Sequence, residues 1–411
     1  MRVDLLTREY PPNVYGGAGV HVEELSKVLA THADVHVHAF DGPREAGVAP
    51  EGVTLRGYDY LPGLDEANAA LRTLSVDLAI ADATAGTDLV HSHTWYANMA
   101  GHLAKLLHGV PHILSSHSLE PLRPWKREQL GGGYEVSSWV ERTAYESADG
   151  IVAVSRAVKD DVLRCYPNVD PDKVEIIHNG IDLQGWKVPQ SEEDRAEARE
   201  FARSVGMDPD RPSVIFVGRI TRQKGVPGLL RAFSYVPEGV QLIFLGGAPD
   251  TPEIAEEVKG LVADLQRTRE GVVWIGEHLP RKQVVALESL ATTFVTPSVY
   301  EPLGIVNLEA MACGLPVVGT ATGGIPDCIE DGVTGTLVPI EQLQDGTGTP
   351  LDPEKFEKDL GTALAEMVED RQRAAEMGAA GRRRVEEHFA WESIAVKTMD
   401  FYTRVLERSR A

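Results

Sequence analysis

The stretch Thr296-Pro297-Ser298-Val299-Tyr300-Glu301-Pro302-Leu303-Gly304-Ile305-Val306-Asn307-Leu308-Glu309-Ala310-Met311-Ala312-Cys313-Gly314 decides the fold of this chain. Its approach, Thr293–Pro297, is an apolar run that reads as a strand ending at a proline. Gly304 opens a helix, and Gly314 with Pro316 stops it near Cys313. A strand leading through a loop into a helix is the repeating unit of a doubly wound α/β sheet. Ligands of such sheets sit outside the carboxyl ends of the strands. The amides near Gly304, Ile305 and Val306 are therefore expected to form an anion site of the helix N-terminus type. Glu301 sits in the approach loop, and Glu309 follows about a turn and a half into the helix. Glu309 reads either as a solvated helix-face carboxylate or as a buried, hydrogen-bonded one. Its apolar flanks, Leu308 and Ala310–Ala312, favour burial.

Working outward, the same alternation runs through most of the chain. Ser213–Ile220, Gln241–Leu245, Val272–Ile275, Pro316–Thr320 and Gly335–Val338 read as further strands on this side. Before them lies a charge-rich segment, roughly 190–211, expected to be helical between turns. Upstream, Val3–Thr7, Val35–Phe40, Val53–Tyr58, Leu89–His93, His112–Ser116, Ile151–Ser155 and Val174–His178 read as strands. Several are nearly continuous apolar runs, the mark of strands covered on both faces. Gly19–His32, Asn98–Leu107, Trp139–Ser147 and Val158–Tyr166 have helical periodicity between them. With 411 residues the chain exceeds what one hydrophobic core organises, so two α/β lobes are expected. The division is placed at 1–184 and 185–390, with an amphipathic helix from Trp391 packing back on the first lobe.

A formal charge of -22 disfavours nucleic acid and anionic lipid as partners. A phosphate-bearing substrate must then be met by cations placed locally. Three cysteines, Cys165, Cys313 and Cys328, match no zinc or redox spacing and fit a reducing compartment. No apolar leader and no membrane-spanning run is read, so a cytoplasmic protein is expected.

Two more segments carry chemistry. In Val217-Gly218-Arg219-Ile220-Thr221-Arg222-Gln223-Lys224-Gly225, Arg219 ends a strand and Lys224 follows in the loop. Two cations at a ligand-facing strand end suit a diphosphate, although loop cations are commonly just solvated. After the first strand, Arg8-Glu9-Tyr10-Pro11-Pro12-Asn13-Val14-Tyr15-Gly16-Gly17-Ala18-Gly19 leads into a helix. Its glycines let amides approach a phosphate closely, or they simply make a strand-to-helix turn.

Taken together, the Glu-x7-Glu spacing from Glu301 to Glu309, the Gly-Arg-x4-Lys-Gly segment and the Gly-rich first loop resemble retaining GT-B glycosyltransferases of the glycogen synthase type. The resemblance covers essentially the whole chain. It implies two facing Rossmann-like doubly wound domains with a cleft between them. The loop Tyr15–Gly19 is most similar to the compact actinobacterial branch, whose members make α-maltose-1-phosphate from ADP-glucose and glucose-1-phosphate. Longer bacterial members carry Lys-x-Gly-Gly where this chain has Val14 or Tyr15, which weighs against a long glucan acceptor. By resemblance, Gly16 and Gly17 face the donor phosphates, while Arg219 and Lys224 neutralise the leaving diphosphate. His117 contacts the transferred sugar and Asn179 lines the cleft. Glu301 binds sugar hydroxyls, Glu309 the ribose, and the main chain at His278 and Leu279 meets the base. The expected substrates are ADP-glucose, or a UDP- or GDP-sugar, with glucose-1-phosphate or an α-glucan as acceptor. No separate cofactor and no metal is implied, and oligomeric state is not readable.

Other readings stay open beside this one. His91, His93 and His117 end neighbouring strands and could hold zinc with an open position. Asp170-Pro171-Asp172 and Asp208-Pro209-Asp210 are formal Asp-x-Asp strings, but proline between the acids marks turns and caps rather than a metal-dependent GT-A site. The basic run Arg123, Lys126 and Arg127 is either a solvated loop or a site for a phosphorylated acceptor. A GT-B-fold nucleotide-sugar epimerase would share the donor site without needing an acceptor. A GT-B transferase with another sugar and acceptor is the remaining alternative.

Overall fold

The computed structural model describes residues 1–45, 47–123, 127, 131–247, 249–343 and 347–410. The chain forms two compact units, Met1–Gly180 with Trp391–Ala411, and Ile181–Ala390.

The first unit is built on a seven-stranded sheet in the order β3-β2-β1-β4-β5-β6-β7. Its strands are β1 (Arg2–Thr7), β2 (Asp34–Ala39), β3 (Val53–Gly57), β4 (Leu89–His93), β5 (His112–Ser116), β6 (Gly150–Ala153) and β7 (Val174–Ile176). Every pairing is parallel, so each strand needs a crossover, and the covered faces explain the apolar runs. Strand order reverses between β1 and β4, whose last residues Thr7 and His93 are register partners. At such a reversal the following connections leave on opposite faces and open a crevice at the carboxyl ends.

One core of this unit joins Val3, Leu5, Val35 and Val37 of the sheet to Val22, Leu25 and Leu29 of the helix Gly17–Leu29. The C-terminal helix Trp391–Arg410 adds Ile394, Phe401, Tyr402 and Val405 to the same cluster. Gly150 opens β6 where a Cβ would lie 2.7 Å from the Phe401 ring, so helix and strand pack to contact. Burying a ring of that size is worth roughly 1.5–3 kcal/mol, enough to tie the chain's last helix down.

The second unit repeats the plan with six strands in the order β10-β9-β8-β11-β12-β13. They are β8 (Ser213–Arg219), β9 (Gln241–Gly247), β10 (Val272–Ile275), β11 (Thr293–Thr296), β12 (Val317–Thr320) and β13 (Gly335–Val338). All pairings are again parallel, and the reversal lies between β8 and β11. Val214, Phe216, Leu242, Phe244 and Val295 of the sheet pack with Leu229, Val258, Leu360 and Leu364 of its helices. The two segments that carry the strongest motifs, after β8 and after β11, thus emerge side by side.

The helices Ala69–Ala83, Pro252–Thr268, Pro353–Glu369 and Arg371–His388 are absent from the sequence reading, and the helix at Gly132–Ser147 begins seven residues before its predicted start at Trp139. No helix among the described residues is long and apolar enough to cross a membrane.

Candidate functional site

In the second unit the loops after β8 and β11 are stitched together by backbone. Val299 N–H donates to Gln223 O at 2.9 Å, and Gln223 Nε2 donates to Tyr300 O at 3.1 Å. Gly225, at φ 65°, permits this approach, since a Cβ there would lie 1.9 Å from Pro297 O. The result brings Lys224 Nζ to 2.5 Å from Glu301 Oε2. Ser298 Oγ donates to the same carboxylate oxygen at 3.3 Å. Glu301 is only 7% exposed, so its charge is compensated rather than solvated. From the other side, Gly324 N–H donates to Glu301 O at 2.8 Å.

Gly304 caps the helix Ile305–Ala312 at φ 88°, a conformation that suits glycine. A Cβ there would lie 2.5 Å from Asn307 Nδ2 and 3.0 Å from Glu301 Cγ. Asn307 is fully buried and accepts from Thr296 Oγ1, tying the helix to the end of β11. The amides of Ile305 and Val306 open this helix beside the loop that carries Glu301.

Glu309 is half-buried, and burial pushes its carboxyl up to about 7, against the pull of Arg281 and Lys224. Glu288 lies close enough to feel its charge. Burial first, and the Glu309 charge second, push Glu288 well above the usual carboxylate range. Cys313 hydrogen bonds to Glu288, and Glu288 Oε2 is otherwise unpartnered. Arg219 ends β8 as expected, but it is 66% exposed and paired with Asp250 at 3.3 Å. His278 is exposed and Leu279 buried in the segment after β10.

In the first unit, His93 ends β4, His117 follows β5, and His21 comes from the helix Gly17–Leu29. His93 Nδ1 and His117 Nε2 are 3.2 Å apart, and the His21 ring centroid lies 4.7 Å from that of His117. Burial lowers the His21 and His93 rings well below the ordinary histidine value and His117 to about 4, so all three are neutral at pH 7. Asn179, itself buried with Oδ1 unpartnered, faces His21 and alone favours its charged form.

The structure corrects the histidine set read from sequence. The His91 ring lies 4.3 Å from that of His93, but both its nitrogens are engaged, by Tyr402 Oη at 2.6 Å and Ser115 Oγ at 2.9 Å. His21 takes the third place instead. Sequence gave no sign of it, because His21 meets His93 only through the β1–β4 reversal. The Asp-x-Asp strings are turns, with Asp170 and Asp208 each accepting the amide two residues on, at 3.0 Å.

At the Gly-rich loop, Glu9 Oε2 accepts the amides of Tyr15 at 2.8 Å and Gly16 at 2.7 Å. Glu9, to which the sequence assigns no role, thus orders this loop. Gly16 and Gly17 are exposed at the helix start. In the basic cluster, Arg123 Nη1 reaches Ser118 Oγ at 3.3 Å, and Arg127 pairs with Glu135 at 2.8 Å. Lys126 lies outside the described residues.

Two parallel Rossmann-like units, with a lysine–carboxylate pair and a helix start at the strand reversal of the second, define the GT-B class of glycosyltransferases. Comparison with known proteins agrees. The model for Glycosyltransferase Family 4 matches residues 15–184 and that for Glycosyl transferases group 1 matches residues 197–384. An α-maltose-1-phosphate synthase of Mycolicibacterium smegmatis is 52% identical, covering 98% of this chain and all of the relative. One of Mycobacterium tuberculosis is 49% identical over the same share of this chain and 100% of its own. The solved catalytic domain of starch synthase IV from Arabidopsis thaliana, bound to ADP and acarbose, superposes with a TM-score of 0.75 at 17% identity, covering 99% of both chains. The chain belongs to the glycosyltransferase family that includes the α-maltose-1-phosphate synthases.

Proposed function

We propose that this glycosyltransferase moves glucose from ADP-glucose to glucose-1-phosphate, forming α-maltose-1-phosphate with retention at the anomeric carbon. The α-glucan is the second acceptor. The observation that carries this reading is the Lys224–Glu301 pair beside the Gly304 helix start. The names of relatives about half identical over their whole length support the choice of product.

Breaking the anomeric bond develops positive character on the sugar and negative charge on the departing diphosphate. Lys224, Arg219 and the amides near Gly304–Val306 stabilise that leaving group and need little reorganisation during the reaction. Glu301, paired with Lys224, binds sugar hydroxyls, and Glu309 takes the ribose. Gly16 and Gly17 face the donor phosphates, Asn179 and His117 the sugar, and the main chain of His278 and Leu279 the base. The leaving phosphate deprotonates the acceptor on the same face, so no enzymic nucleophile and no resident cofactor is required. Arg123, Lys126 and Arg127 receive the acceptor phosphate. The three free thiols suit a cytoplasmic setting.

A product screen tests this. ADP-, UDP- and GDP-sugars are each offered with glucose-1-phosphate, with glycogen and with no acceptor, and products are read by mass spectrometry. A disaccharide phosphate from ADP-glucose is expected. An epimerised donor in the absence of acceptor overturns the proposal.

A further inference from the structure

We propose that His21, His93 and His117 form a binding site for a late first-row divalent cation, zinc in the first instance, with an open coordination position beside half-buried His117. One ligand nitrogen from each ring lies within 4.8 Å of the others. Tetrahedral zinc with Zn–N of about 2.0–2.1 Å sets its ligand nitrogens roughly 3.3 Å apart. The His93 Nδ1–His117 Nε2 separation, 3.2 Å, already meets that spacing. His21 completes the set by a side-chain adjustment.

Ring packing alone does not account for this cluster. His21 is 3% exposed, with Asn179 the one side chain offering it a hydrogen bond and neither ring nitrogen in a well-formed one, and His93 Nε2 is buried and unpartnered. A buried polar atom left unmade costs about 1–3 kcal/mol, so an apolar ring of similar shape would serve packing better. Imidazole is the ligand type that suits zinc, copper, nickel and iron. Because each ring is neutral, the proton now between His93 and His117 moves to the other nitrogen of its own ring, and the metal enters without net deprotonation. A metal here withdraws His117 from the sugar, a consequence that rests on the sugar-contact reading above.

The test takes the full chain stripped with EDTA and titrates it with Co²⁺ alone, following the visible absorption of tetrahedral cobalt, then displaces the ion with Zn²⁺. One ion per chain is expected. His21→Gln and His93→Gln should each weaken binding by roughly tenfold or more. His388→Gln, at a side chain 55% exposed, should not. His117→Gln serves where a buried variant fails to fold. Absent bands in the wild type, or bands that persist in the ligand variants, overturn the site. Zn²⁺ should also stop transfer reversibly. Zinc that binds through these histidines yet leaves transfer intact supports the metal site and overturns the sugar contact of His117.

Discussion

Lys224 Nζ stands 2.5 Å from Glu301 Oε2 although the two residues are 77 positions apart. The parallel pairing of β8 with β11, and the backbone bonds between their following loops, hold them there. Changing either residue removes the other's ion-pair partner. Lys224→Ala should therefore lower kcat by roughly 10²–10³, the usual loss for one donor at a developing anion. Lys224→Arg should recover only part, because guanidinium geometry differs from that of an ammonium. Steady-state kinetics with a fixed acceptor measure both. Unchanged kcat in the alanine variant would remove Lys224 from the chemistry.

Gly304→Ala should damage the same site through the backbone. Its φ of 88° and the 2.5 Å approach to Asn307 Nδ2 leave no room for a methyl group. A cost of about 1–3 kcal/mol is expected, seen as a lowered thermal midpoint with a raised donor KM. Asn307, anchored on Thr296, is the group that must yield. A variant with wild-type stability and donor KM would contradict the assigned role of the helix start.

Most of the fold was legible because parallel strands covered on both faces leave continuous apolar runs. All thirteen runs read as strands are strands. The helix Ala69–Ala83 was not legible, because its exposed Leu71 and Leu78 and its buried Asp77 blur the apolar stripe. In the candidate site, Glu301 with Gly304, and Lys224 separately, were visible within two short motifs. His21 and Glu288 were not, because each acquires its surroundings from segments distant in the chain. Glu288 ends a helix with nothing in its local sequence to mark it, and only packing sets it beside Glu309.

The carboxyl of Glu309 gives a pH signature. Its folded pKa, about 7, lies above the ordinary carboxyl value of 4.5, so the folded state binds the extra proton between them. The stability this contributes is complete below the unfolded value and is lost as pH rises through about 7. Relative to wild type, Glu309→Gln should thus gain thermal stability from about pH 5 to about pH 8. Circular dichroism melts of the two proteins at each pH give the difference directly. A difference that is flat, or that shrinks with pH, would refute the raised carboxyl.

The basic cluster should discriminate between acceptors. Replacing Arg123, Lys126 and Arg127 with alanine should raise KM for glucose-1-phosphate by roughly tenfold or more, the scale of a lost charge-assisted contact. KM for a neutral glucan should change little. Arg127 already leans on Glu135 with both side chains well exposed, so the variant should fold normally. Equal effects on both acceptors would remove the cluster from acceptor binding.

The most direct measurement is a crystal structure of the protein soaked with ADP. The diphosphate should lie within hydrogen-bond reach of Lys224 Nζ and of an amide among Gly304, Ile305 and Val306, with Glu309 on the ribose. A nucleotide bound away from the β8–β11 reversal would contradict the assignment of these residues to the donor.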